Sequence, residues 1–239
     1  MAEKLSEIPL HGGRTTASVT RQGDIVYRSC CANTPLARSV LLWLEEKGLS
    51  IAPRHLGFAK DGREMISFLE GVSPADLGEF NEEQLSAAAR LVRILHDALK
   101  DYPGSKPNQT ICHNDLSPCN FMFKDEMPYA VFDWDAVSPG DPLDDLAYVV
   151  WMWCDLGDSL TSLNQHQVAM RMAIILEAYG LARNEWVKLS AYIEKQMQRV
   201  AWSLKEAGKY EGKEWAEQCL REWLRHEKEI MSFLLKQSS

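Results

Sequence analysis

Asp115, Asn120 and Asp133 are the residues of this chain whose types and spacing could do chemistry. Asp115 closes the triplet His113-Asn114-Asp115, and Asn120 follows it five residues later. Asp133 opens the triplet Asp133-Trp134-Asp135, directly after a β-patterned run at 129–132. Two carboxylates and an amide offer hard oxygen donors, which is what Mg²⁺ takes. That ion keeps waters and phosphate oxygens as well, so one amide oxygen and one carboxylate suffice from the protein. Asn120 adds an oxygen without adding negative charge beside a polyphosphate. Phosphoryl transfer leaves little covalent chemistry to a protein and asks instead for positioning and charge neutralisation. Asp133 follows a strand, where the backbone is rigid enough to fix a ligand. Either triplet alone is a common accident. The two in this order around Asn120 form one constellation.

The constellation resembles the aminoglycoside phosphotransferase and choline kinase family, which shares the protein-kinase fold and carries an HxDxxxxN loop and a DW[DE] metal motif. Gly140-Asp141-Pro142-Leu143-Asp144-Asp145-Leu146-Ala147 is similar to the GDPxxDLA stretch that follows the metal motif there. Residues 91–97 resemble the helix that precedes the catalytic loop, and residues 52–57 and 63–71 resemble a strand pair and hinge. The likeness covers roughly residues 8–155. It implies that Asp115 orients an acceptor hydroxyl and accepts its proton, while Asn120 and Asp133 hold Mg²⁺. His113 and Asp145 would support the catalytic loop through hydrogen bonds. Asp135 would either add a water-mediated metal contact or cap the next loop. The hinge backbone at Ser67, Phe68 and Leu69 would bind the base of ATP, and a backbone contact of this kind suits GTP as well. Gly12 and Gly13, ahead of a hairpin, would let backbone N–H groups approach a phosphate, or form a plain turn.

One departure stands out. Protein kinases hold the phosphates with a strand Lys paired to a Glu of the following helix. The matching strand here carries Arg28, which keeps the charge and offers a bidentate fork. Glu45 and Glu46 fall near the end of the following helix, and neither matches the partner. An exposed strand Arg without a role is the alternative.

The elements that must position these residues read as follows. Strands are expected at 16–20 and 24–31 around a turn at Arg21-Gln22-Gly23-Asp24, and again at 54–58 and 64–69. A helix begins at Thr34-Pro35, with Thr34 as cap, and ends at Gly48. A second runs over 81–100 with Asn81 as N-cap, its His96 serving a structural hydrogen bond. Helical patterning returns at 146–153, 164–179, 184–204 and 213–235. The expected fold class is α/β (α+β), a bilobal protein-kinase-like fold. Residues 1–71 form a small β-sheet lobe that binds the nucleotide. Residues 72–239 form a mainly helical lobe with the catalytic loop and acceptor site.

Composition narrows the partners. With 239 residues, 46% hydrophobic and 25% charged, the chain can bury a sizeable core. A net charge of −8 argues against nucleic acid, which would be repelled. No apolar run spans a membrane and the first residues lack a signal peptide's apolar segment, so a cytoplasmic enzyme is expected. The six cysteines have no zinc spacing and read as reduced, buried thiols. Trp186, Trp202, Trp215 and Trp223 read as core aromatics. The partners are therefore a nucleotide and a small hydroxylated acceptor. Asp155 and Asp158, near Trp151 and Trp153, would suit a polycationic aminoglycoside, tryptophans would suit choline, and a sugar fits equally. A catalytically silent kinase-like module that binds a nucleotide or protein is the rival. A kinase acting on protein is disfavoured, since no activation segment separates Asp133 from Asp145. Nothing in the sequence fixes an oligomeric state.

Overall fold

The computed structural model describes residues 6–10, 19–74, 80–157 and 163–236. The first part is an antiparallel sheet of β1 (Ile8–Pro9), β2 (Val19–Gln22), β3 (Ile25–Arg28), β4 (His55–Phe58) and β5 (Glu64–Ser67) in the order β1-β2-β3-β5-β4. β2 runs through Arg21 and Gln22, which pair with Val26 and Ile25, so the turn is shorter than the sequence suggests. Gly23 at φ 60° allows the two-residue connection. The rest of the expected 16–20 strand, and the Gly12-Gly13 turn, lie outside the described residues.

Helix α1 (Thr34–Glu46) joins β3 to β4 and buries Ala37, Val40, Leu41 and Leu44. The valine and the two leucines, withdrawn from water, contribute about 1.5–3 kcal/mol each. Asn33, not Thr34, takes the cap position, and its side chain makes no cap hydrogen bond. The Thr34 hydroxyl instead accepts from the Cys31 N–H at 2.8 Å.

β5 ends at Ser67, two residues short of the expected strand, and the chain crosses into the second part at Gly71. There Val72 and Phe123 exchange backbone hydrogen bonds of 2.9 and 2.8 Å. Gly71 has φ 142°, and a Cβ on it would stand 2.2 Å from the Phe123 carbonyl oxygen. Only glycine fits this crossing.

The second part holds α2 (Glu82–Leu99), β6 (Thr110–Cys112), β7 (Phe121–Lys124), β8 (Met127–Val131), β9 (Ser138–Gly140), α3 (Pro142–Trp153), α4 (Gln165–Tyr179), α5 (Leu189–Glu206) and α6 (Tyr210–Lys236). Asn81 caps α2 in a reciprocal box with Gln84, each side chain accepting from the other's backbone N–H. α3 starts at Pro142, earlier than the periodicity suggests, because Asp141 caps it and accepts from the Leu143 N–H at 2.9 Å. A 3₁₀ turn, Arg183–Lys188, occupies the start of the expected 184–204 helix. β6 pairs with β9, and β7 with β8, as two small ladders.

Trp186 and Trp223 are buried as expected, but Trp202 is 65% exposed on α5. Trp215 is half-buried and stacks on Trp151 with ring centroids 5.3 Å apart. The cysteines divide likewise. Cys112, Cys154 and Cys219 are buried, Cys119 is half-buried, and Cys30 and Cys31 are exposed because β3 stops at Arg28 and leaves them in a surface connection. Among the described residues, no helix is long and apolar enough to cross a membrane.

Candidate active site

The β6–β9 ladder brackets the segment that carries Asp115, Asn120 and Asp133. The chain leaves β6 at His113 and Asn114, the latter with φ 65°. Asn114 tolerates the left-handed region because its side chain bonds locally. Its Nδ2 donates to the Ala136 carbonyl at 2.9 Å, the Ser138 hydroxyl at 3.0 Å and the Cys112 carbonyl at 3.3 Å. This ties the first triplet to the chain beyond the second.

Asp145, 1% exposed on α3, holds the loop from beneath. Its Oδ2 accepts from the His113 N–H at 2.7 Å, its Oδ1 from the Asn114 N–H at 2.8 Å, and His96 Nε2 donates to Oδ2 at 3.2 Å. Burial alone would push this carboxyl up. The His96 hydrogen bond and charge, followed by His113, more than offset it and hold Asp145 below the ordinary carboxylate range. His96 is itself fixed by the Tyr179 hydroxyl at 2.8 Å, a structural role as its place on α2 suggested. His113 Nε2 donates to the Phe132 carbonyl at 3.0 Å, which joins the loop to the residue before Asp133.

Asp115 receives the Tyr148 hydroxyl on Oδ1 at 3.0 Å. Burial, and then the Asp115 charge, push the Tyr148 phenol well above its usual value, so it remains a donor. Asn120 sits in a 3₁₀ turn, Pro118–Asn120, and its Nδ2 donates to the Asp115 carbonyl at 2.9 Å. With its nitrogen so committed, the amide keeps Oδ1 for a cation.

Asp133 is left-handed, with φ 62° and ψ 66°. Such backbone costs of order 1–3 kcal/mol and is found where a site over-determines it. Burial raises its carboxyl above the usual value, and the nearby Asp135 and Asp115 add to the rise. Among the described residues no hydrogen bond or ion pair reaches the Asp133 carboxylate. The His113 and Arg28 charges act the other way but do not cancel the rise, so a divalent cation would find a carboxylate here with net negative surroundings. Among the described residues, no three His, Cys, Asp or Glu side chains converge on a metal position. The donor set fits Mg²⁺ held by Asn120 and Asp133, with phosphate and water as its other ligands.

Arg28 is 7% exposed, so the reading of an idle surface arginine fails. Its Nε donates to Glu64 Oε2 at 2.7 Å, and its Nη1 lies 2.9 Å from Asp135 Oδ1. Burial opposes the charge, but Asp135 and Glu64 outweigh it and raise the guanidinium pKa. Neither helix glutamate reaches Arg28: Glu45 lies 3.9 Å from Arg54, and Glu46 is exposed. Asp135 therefore faces the sheet, where the sequence suggested a metal contact or a loop cap. At the hinge, the Ser67 and Phe68 N–H groups already donate to Arg54 and Asp24 carbonyls at 2.9 and 2.8 Å. The Arg21 guanidinium covers the Phe68 ring at 3.4 Å. Of the hinge N–H groups expected to meet a nucleotide base, those of Ser67 and Phe68 are thus committed within the fold.

Sequence reading missed Glu64, Tyr148, Asn33 and Arg199. Tyr148 stands one helical turn after Asp145 on α3, a spacing that places both on the loop-facing side. Asn33 Nδ2 donates at 2.9 Å to both the Asp135 and Val137 carbonyls, pinning the start of α1 to the metal loop. Arg199 of α5 reaches the Asn114 carbonyl at 3.3 Å. Trp151 and Trp153 are core residues at 1% and 0% exposure and wall no acceptor, and Asp158 lies outside the described residues.

Comparison with known proteins bears on the family and the fold. A model of the phosphotransferase enzyme family matches residues 47–192. A trifolitoxin immunity protein of Rhizobium leguminosarum bv. trifolii is 31% identical over 201 residues, which are 73% of this chain and 74% of that protein. An amicoumacin kinase in complex with AMP-PNP, Ca²⁺ and Ami superposes with a TM-score of 0.69 at 10% identity, over 92% of this chain and 89% of that one. A choline kinase from Cryptosporidium parvum Iowa II gives 0.67 at 10% identity, over 98% and 92%. The GDP complex of an aminoglycoside 2'-phosphotransferase-IIIa mutant gives 0.65 at 12% identity, over 96% and 95%. At these identities the superpositions establish a common kinase-like fold.

Proposed function

Because this chain belongs to the phosphotransferase enzyme family, we propose that it moves the γ-phosphate of ATP, with Mg²⁺, to a hydroxyl of a small molecule in the cytoplasm. Residues 1–71 bind the nucleotide in this reading, and residues 72–239 bring the catalytic loop and the acceptor. The observation that carries it is the loop itself. Asp145 fixes the backbone of His113 and Asn114, and Asn120 bonds the Asp115 carbonyl, so base and metal ligand belong to one rigid unit.

Asp115 is the proton acceptor, oriented by the Tyr148 hydroxyl. Asn120 and Asp133 hold the metal, whose charge neutralises the phosphates. Arg28 meets the α- and β-phosphates with Nη2, since Nε and Nη1 face Glu64 and Asp135. Leu69 and the hinge carbonyls of Ser67 and Phe68 meet the base. GTP is the alternative donor, and one neighbour is a GDP complex. The neighbours' names point to an antibiotic or amino-alcohol acceptor, and the immunity protein's name points to a toxin. Chemical inactivation of such a compound joins the two.

A silent binding module is the second reading. The pairing of Arg28 with two carboxylates favours it, because that neutralises the cation a nucleotide needs. The test is incubation with Mg-ATP or Mg-GTP and a panel of aminoglycosides, amino alcohols, sugars and hydroxylated peptides, with mass spectrometry of the products. Phosphorylation of one acceptor class supports transfer. Nucleotide binding without any product across the panel favours the silent module.

A further inference from the structure

We propose that Glu64, a strand residue, is the positioning carboxylate for the phosphate-binding cation Arg28, a task that protein kinases give to a glutamate of the helix after the cation's strand. The inference rests on the phosphotransferase reading and deepens it. Arg28 and Glu64 are direct cross-strand partners on β3 and β5, so the pair is set by sheet register and not by the placement of a helix. Glu64 is 0% exposed, and both its oxygens are engaged: Oε2 by Arg28 Nε at 2.7 Å and Oε1 by His55 Nδ1 at 3.2 Å. A fully buried carboxylate is retained only with such partners, since an unpaired charge there is costly.

The guanidinium offers five donors in a rigid fork. Glu64 takes Nε and Asp135 stands at Nη1, which fixes the plane of the fork, and the Asp133 charge acts on the same guanidinium. A lysine could not be clamped this way, because a single ammonium has no plane to fix. The role of α1 changes accordingly. It meets the metal loop through Asn33 at its start, by the two bonds to the Asp135 and Val137 carbonyls, and its acids lie elsewhere. Assembly of the phosphate site is thus built into the sheet.

Isothermal calorimetry on the full chain tests this with Mg-ATP, Mg-GTP and the free nucleosides. The variants are Glu64→Gln and the pair Glu45→Ala with Glu46→Ala. Gln keeps the shape, accepts from Arg28 and donates to His55, so melting curves should remain cooperative. Glu64→Gln is expected to weaken triphosphate binding about tenfold and to leave nucleoside binding unchanged, because only the phosphates meet Arg28. The helix variant is expected to bind both as the wild type does. Should Glu64→Gln fail to fold, Arg28→Lys provides the same reading, with triphosphate binding lost selectively. Equal losses for triphosphate and nucleoside, unchanged triphosphate affinity, or a loss in the helix variant would overturn the assignment. A wild type that binds no triphosphate removes the phosphotransferase reading, and this assignment with it.

Discussion

Asp133 combines a left-handed backbone with a carboxyl that burial and its acidic neighbours push above the usual value. Both features cost stability in the absence of a cation, as expected where geometry serves a ligand. A carboxyl whose pKa is raised on folding favours the fold while protonated, and that contribution is lost as pH rises through the raised value. Asp133→Asn is therefore expected to raise the melting temperature at neutral pH by about 2–4 °C, the effect of about 1 kcal/mol in a domain of this size. The gain should shrink toward acid pH, and Mg²⁺-dependent nucleotide binding should be lost. Calorimetric melting at two pH values, with a nucleotide titration, checks both. Asp115, Asn120 and Asp133 could be singled out in the sequence because their types and spacing are those expected of a phosphoryl-transfer loop, and the roles proposed for them rest on that expectation. Glu64 and Tyr148 could not, since they act through partners 36 and 33 positions away that no local pattern announces.

At the scale of elements, the catalytic loop is a strained excursion between β6 and β9 that stays in place because α3 presents Asp145 beneath it. The carboxylate accepts two backbone N–H groups and the His96 ring at once. Asp145→Asn would turn an amide donor toward other donors and remove the charge, so a loss of about 3 kcal/mol or more is expected in denaturant unfolding. The sign with pH follows from the lowered carboxyl. Its contribution is present at neutral pH and is lost as the solution is acidified below about pH 4. The Asn variant should lack that part of the acid sensitivity. A variant as stable as the wild type would remove Asp145 as the support of the loop. The long helices were legible from their apolar spacing, and Asn81 from its cap chemistry. Of the small ladders, β8 was legible as the β-patterned run 129–132, although it spans Met127–Val131, but β6, β7 and β9 were not, because strands of three or four residues leave too little alternation to read. The start of α1 misled for a related reason: Asn33 spends its amide on the metal loop, a contact across more than a hundred positions.

Across the whole molecule, the sheet and the helical part meet through a few directed contacts around the chemistry. Gly71 lets the chain cross against Phe123, Asn33 grips the metal loop, and Arg28 ties β3 to Asp135. The kinase-like architecture was legible because its order of strands, helix, hinge and loop follows the chain. The acceptor was not, because no local pattern in the sequence marks which side chains would meet it. The account's central claim is the division of labour in the loop, with Asp115 serving the acceptor and Asn120 and Asp133 serving the metal. Asp115→Asn tests it most directly, by nucleotide affinity and the rate of phosphate transfer to the acceptor found for the wild type, or to water in its absence. The account predicts unchanged Mg-nucleotide affinity and transfer slowed about 10²–10⁴-fold, the usual cost of removing a general base. Transfer at the wild-type rate, or loss of nucleotide affinity as severe as in Asp133→Asn, would contradict it.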